Sequence, residues 1–150
     1  MTAWKRKWRW APVDKAMNYL SLARKAGFAE LGEEPVGTAA RGGKAYLIAV
    51  ASDASDHTWR RAKSFAAGTE QQCVRFPQTK DEMGLAIGRQ ELAIAAITDP
   101  ALALAMVQAL GDSEKHTAAI EVLSTKAARA KKRQSEAKAH KRNVRAGKKK

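Results

Sequence analysis

The chain has 150 residues, 45% of them hydrophobic, one cysteine and a formal net charge of +13. That length and apolar content suit one domain with a real core, and one cysteine excludes an internal disulfide framework. No apolar run approaches the roughly 18 residues of a membrane span, and the N-terminus lacks the apolar stretch of a signal peptide, so the expected location is cytoplasmic.

The chain opens with "WKRKWRW", in which Trp4, Trp8 and Trp10 alternate with Lys5, Arg6, Lys7 and Arg9. Stacking on RNA bases with phosphate contacts and packing of tryptophans on the domain are two equal readings of this arm, and a membrane-surface peptide is the third. From Val13 to Ala26, Ala16, Tyr19, Leu20, Ala23 and Ala26 follow helical spacing, with Gly27 as a stop. A short strand is possible near Phe28. A second helix starts at Glu33 and Glu34, with Pro35 in its first turn and Gly42-Gly43 at its end. "AYLIAVA" (45–51) has the length and apolarity of a strand buried on both faces. "SDASD" turns into a helix reaching about Ala67, and "CVRF" is a strand, with Cys73 read as a buried thiol. Thr79 to Glu82 match a capping box that opens a short helix to Gly88. "LAIAAIT" (92–98) is a strand, and Asp99-Pro100 opens a helix to about Leu110. Alternating strands and helices predict an α/β fold, a three-layer α/β/α sandwich with a small mixed sheet.

The stretch "ARGGKAYLIAVASDAS" (40–55) invites comparison with a phosphate-gripping loop. Such a loop follows a strand and opens a helix, so that helix amides face the phosphates. Here the glycines close a helix and precede a strand, and no Ser or Thr follows Lys44. The order is reversed, and a nucleotide site is excluded. His57, His116 and His140 lack metal-ligand spacing, and no nucleophile–base pair accompanies Ser52, Asp53, Ser55 and Asp56, which read as helix caps. Gly84, inside a helix, reads as a point of close packing. The expectation is a protein that is not an enzyme and needs no cofactor or metal.

Charge is segregated. Residues 1–10 carry four basic side chains, residues 11–112 carry 11 basic and 12 acidic ones, and residues 113–150 carry 13 basic and 3 acidic ones. The predicted organisation is a basic arm over 1–12, a nearly neutral domain over 13–112, and a basic tail over 113–150. Basic arms of this kind bind polyanions through counterion release. The tail holds Lys131, Lys132, Arg133, Lys141, Arg142 and Arg145, and Ile120, Leu123, Ala127 and Ala130 form a narrow helical stripe. Its charge predicts disorder in the distal part when free, and a helix or extended arm on RNA.

Three stretches, "GEEPVGTAARGGKAYLIAVASDAS", "TKDEMGLAIG" and "LAIAAIT", occur in the order and spacing of a known pattern. Together they resemble the kink-turn-binding ribosomal protein family, the L-seven-Ae/L-thirty-e and Gadd-type superfamily, and its short bacterial members in particular. The pattern runs over roughly residues 15–110: Gly32 opening a helix, Arg41 to Ala45, an apolar strand with Ser52-Asp53, then Glu82 to Gly88 and Ala93 to Ile97. The resemblance implies the α/β/α sandwich and non-catalytic binding of structured RNA. It places RNA contacts at the N-terminus of the second helix (Gly32, Glu33, Glu34, Thr38), at Arg41 and Lys44, and in the loop Arg89, Gln90, Glu91 and Leu92. Kink-turn binders carry Asn, Glu and Lys where this chain has Glu34, Pro35 and Thr38, so donor chemistry for bases and phosphates is reduced here. The expected function is that of a ribosomal or ribosome-associated protein on ribosomal RNA, with other ribosomal proteins as further partners, no membrane, and a monomer outside the complex. The alternatives are an RNA-binding regulator or assembly factor acting off the ribosome, and a Gadd-type protein-interaction module.

Overall fold

The computed structural model describes residues 14–111 and 114–148. Among the described residues ten elements follow one another: α1 (Asp14–Ala26), β1 (Ala29–Leu31), α2 (Glu33–Arg41), β2 (Leu47–Val50), α3 (Asp56–Ala66), β3 (Gln72–Arg75), α4 (Lys80–Ala86), β4 (Ile94–Ile97), α5 (Pro100–Ala109) and α6 (Thr117–Lys148). The architecture is an α/β/α sandwich around a four-stranded mixed sheet, as the alternation predicts.

Local chemistry sets most of the boundaries. Asp99 caps α5 by accepting from the Leu102 amide at 2.9 Å, with Pro100 at the first helical position. Thr79 and Glu82 complete a reciprocal capping box on α4. Ser55 caps α3 by accepting from the Thr58 amide at 3.2 Å. Asp53 does something the sequence does not announce: its Oδ1 accepts from the Lys80 amide at 2.7 Å, so it caps α4 rather than the adjacent α3. After α2, Gly42 keeps a right-handed conformation and Gly43 turns left-handed at φ +68°, which sends the chain into β2.

The sheet order is β1-β4-β2-β3. β4 runs antiparallel to both β1 and β2, and β2 runs parallel to the edge strand β3. The two central strands, Leu47–Val50 and Ile94–Ile97, are buried along their whole length. That burial explains their uninterrupted apolar sequences, since helices cover both faces. α2 and α3 pack on one face; α1 and α5 pack on the other, with α4 against α1 and α6 against α5.

The expected apolar stripe of the tail joins the core. Leu123 is fully buried, Ala119 is 7% exposed, and Ile120 packs half-buried beside them. The folded body therefore continues past residue 112. Beyond Leu123, of the partly helical and disordered forms expected for the tail, the structure has one helix that runs to Lys148. Its residues are mostly Ala, Lys, Arg, Gln and Glu, all good helix formers, and the docked first turns supply the costly nucleus. No helix among the described residues is long and apolar enough to cross a membrane.

Candidate RNA interface

The antiparallel register decides which predicted residues meet. Leu31 lies opposite Ala95, and the next residue, Gly32, donates its amide to the Ile94 carbonyl at 3.0 Å. The start of α2 therefore sits beside the segment that enters β4, and the loop Arg89-Gln90-Glu91, which leads into that segment, lies at the same end of the sheet. Gly32 takes φ +100°, a conformation open to glycine, and so makes the sharp turn from β1 into α2.

Gly84 holds the second half of this end in place. A Cβ built on Gly84 would lie 2.5 Å from Glu91 Cα and 2.7 Å from its amide nitrogen. The loop backbone thus passes directly over α4, where only a hydrogen fits. Arg89 donates its amide to Gly84 O at 2.8 Å, and Leu92 donates its amide to Lys80 O at 2.9 Å. Arg89, Gln90 and Glu91 are left exposed on this clamped loop. Leu92 is 3% exposed and belongs to the core, which corrects its expected place in an RNA contact. The alternation along the entry to β4 turns that side chain inward.

The α2 terminus itself is a poor anion site. Helix N-termini attract phosphate through free amides and the positive dipole end. Here Gly32 spends its amide on Ile94, Pro35 has none, and Glu33 and Glu34 place two carboxylates in the first turn. Glu33 Oε1 is buried without a hydrogen-bond partner. Thr38 is exposed, and its hydroxyl donates to the Glu34 carbonyl at 3.1 Å, within the helix. The exposed donors at this end are the side chains of Arg89 and Gln90.

The remaining expected contacts lie elsewhere. Arg41 and Lys44 are exposed at the far end of α2, about 13 Å from Gly32 by helical rise, so they do not join this site. Lys131, Lys132, Arg133 and Lys141 are exposed on α6. Arg142 and Arg145 belong to the same helix. Trp4, Lys5, Arg6, Lys7, Trp8 and Arg9 lie outside the described residues.

Two features escaped the sequence reading. On α3, Trp59 is half-buried with Lys63 at 5.7 Å and Arg75 of β3 at 5.0 Å from its ring centre, and Arg61 lies 5.5 Å from the Phe65 ring. The two pairs within α3 are four residues apart, a spacing visible in "TWRRAKSF". The other feature is the side of α6 that faces Tyr46 and Glu70. Lys126 forms an ion pair with Glu70, which precedes β3. Lys126 foremost, and Arg129 to a lesser degree, hold the Glu70 carboxyl below its usual range.

These features define an α/β/α sandwich protein with a cationic helix face beside Tyr46 and, at the other end of its sheet, an exposed loop that offers Arg89 and Gln90 as donors. No protein-family model and no curated protein sequence matches the chain. Among solved structures, a Bacillus halodurans protein of unknown function is similar at 24% identity and a TM-score of 0.61, over 65% of this chain and 97% of that one. The Giardia lamblia 15.5kD RNA binding protein is similar at 18% identity and a TM-score of 0.55, over 67% of this chain and 86% of that one. At these identities the likeness is one of fold.

Proposed function

We propose that the chain binds structured RNA without catalysing a reaction, with ribosomal RNA as its target and the cytoplasmic ribosome as its place of action. One observation carries this reading. In a sandwich shared with an RNA-binding protein, the start of α2 and the clamped loop Arg89–Glu91 meet at one end of the sheet. The segregated charge adds to it. A nearly neutral body cannot draw a polyanion from a distance, whereas the basic segments flanking it can.

The site chemistry also sets the specificity expected. With Glu34 and Thr38 in place of an amide and an ammonium donor, binding to a generic kink-turn RNA is weak. The variant Glu34→Asn with Thr38→Lys restores both donors and tightens that binding. If 6 to 10 cations of the flanking segments reach phosphate, affinity for ribosomal RNA falls by roughly 10³ to 10⁵ between 50 and 200 mM salt. The test is equilibrium binding of the full chain to kink-turn and ribosomal RNA across that range, with sedimentation alongside ribosomal subunits through a high-salt wash. Failure of the full chain to bind either RNA at 50 mM salt would overturn the reading.

A further inference from the structure

At the sheet end opposite Arg89–Glu91, α6 and Tyr46 enclose a groove of about 390 Å³. Tyr46 precedes β2, and its ring is half-buried; its amide donates to Ile97 O at 2.8 Å and its carbonyl accepts from the Gln72 amide at 3.1 Å. The other walls are Lys126, Arg129, Lys132, Arg133 and Glu136. These five recur at the three- and four-residue steps that place them on one helix face. The face is held in position, because Leu123 is buried one turn earlier and Lys126 is tied to Glu70.

The side chains of Arg129, Lys132 and Arg133 form no hydrogen bond or direct ion pair among the described residues, and Arg129 acts on Glu70 only at longer range and less than Lys126 does. Arg129 with Lys132, and Arg129 with Arg133, are like-charge pairs at helical contact spacing, which destabilise a helix. The helix dipole does not account for them, since its effect is confined to the first and last turns and these residues lie well inside α6. Glu136 follows Lys132 by four, the less favourable order for such a pair. The cluster is therefore a built-in excess of positive charge, and an external anion is what relieves it.

The chemistry of the walls selects the anion. Two guanidinium forks donate bidentately to phosphate oxygens. From Lys126 to Arg133 the cations extend over about 10 Å of helix, so they address a chain of phosphates rather than one. Tyr46 supplies an aromatic wall, and aromatic faces stack on unpaired bases. A concavity of this size takes a ligand of nucleotide dimensions rather than the broad face of a duplex.

We propose that this groove is a second RNA site, which holds an unpaired segment of RNA with its phosphates on Arg129, Lys132 and Arg133 and a base on Tyr46. The inference rests on the RNA-binding reading above and extends it: the protein grips its RNA at two opposite ends of the sheet, so the RNA must wrap the domain or present two separated segments.

The probe is a stem–bulge–stem RNA carrying an unpaired extension, with the full chain, read by backbone footprinting and by affinity across salt. Two triple variants remove equal charge from exposed positions: Arg129→Gln, Lys132→Gln and Arg133→Gln inside the groove, and Lys15→Gln, Arg24→Gln and Lys25→Gln on α1, outside the expected RNA contacts and distal to the groove. Glutamine keeps helix propensity, and a circular-dichroism melt checks the fold. Wild type protects both bulge and extension. The groove variant loses protection of the extension, keeps that of the bulge, and its slope of log affinity against log salt is shallower by roughly 2. The distal variant keeps both footprints. Tyr46→Phe binds as wild type, whereas Tyr46→Ala weakens binding roughly 5- to 150-fold. Equal behaviour of the two triple variants, or an unprotected extension beside a protected bulge in wild type, overturns the groove while the RNA-binding reading stands. Absence of any RNA binding by wild type overturns both.

Discussion

Replacing Gly84 by alanine tests the close approach on which the Arg89–Glu91 loop depends. Two effects oppose each other. Alanine in a helix interior is more favourable than glycine by roughly 0.8–1 kcal/mol, so α4 itself gains from Gly84→Ala. The new Cβ, however, meets Glu91 Cα at 2.5 Å, Glu91 N at 2.7 Å and Glu91 C at 2.8 Å. All three are backbone atoms, so no side chain can swing aside. Relief requires the loop to retreat by about 1 Å, if carbon contacts are to reach roughly 3.5 Å. That movement strains the Arg89 and Leu92 amide bonds to Gly84 O and Lys80 O. Overpacking costs typically 1–3 kcal/mol, and each strained backbone bond costs of order 1 kcal/mol more, so the clash outweighs the propensity gain. The expected net loss is about 2–4 kcal/mol, a fall in Tm of roughly 4–16 °C for a chain of this size. Gly37→Ala on α2 is the control. Its Cβ meets the ring edge of the half-buried Phe65 at 3.1 Å, which can give way, so the propensity gain keeps its loss below that of Gly84→Ala. Thermal melts of the three proteins, followed by RNA binding, are the assay. A Gly84→Ala protein that melts at or above the wild-type temperature would refute the tight approach and the loop positioning derived from it.

Leu123→Ala should destabilise the protein by roughly 2–5 kcal/mol in urea unfolding, because the side chain is fully buried under α5, whereas removing residues 135–150 should leave the urea midpoint unchanged. Thr79→Ala and Asp53→Ala should each cost roughly 0.5–2 kcal/mol by the same measurement, since both side chains satisfy amides of the first turn of α4. The Cys73 thiol is pushed up to about 11 by burial, from an ordinary 9.0, with Lys63 opposing the rise more weakly. At pH 8 its thiolate fraction is then about 100-fold below that of a free cysteine, and modification by a disulfide reagent in the folded protein should be slower in proportion. Because the folded thiol holds its proton more tightly than the unfolded one, its contribution to stability is complete below pH 9 and is lost as pH rises toward 11. A modification rate equal to that of free cysteine would contradict the burial.

Helix termini and strand locations were legible because their causes are local. The capping box at Thr79–Glu82, the Asp99-Pro100 start and the stop at Gly43 each act over a few residues and need no distant partner. The central strands read out as apolar runs because both faces are covered. Cationic excess at the two ends of the chain was equally plain from composition. Tertiary structure decided how these pieces face one another. Placing β4 between β1 and β2 seats Gly32 against Ile94 and so assembles one candidate site from residues some sixty positions apart. The same topology sends Arg41 and Lys44 to the opposite end, although they adjoin Gly32 in the sequence motif. Asp53 reaches across to Lys80, Leu92 turns inward, and Leu123, on the helical stripe expected of the tail, finds a place on the body that fixes the base of that helix. None of these follows from periodicity. A side chain's period says which face it shares with its neighbours, while the partner of that face is set by the global packing that buries the most apolar surface with its backbone groups paired.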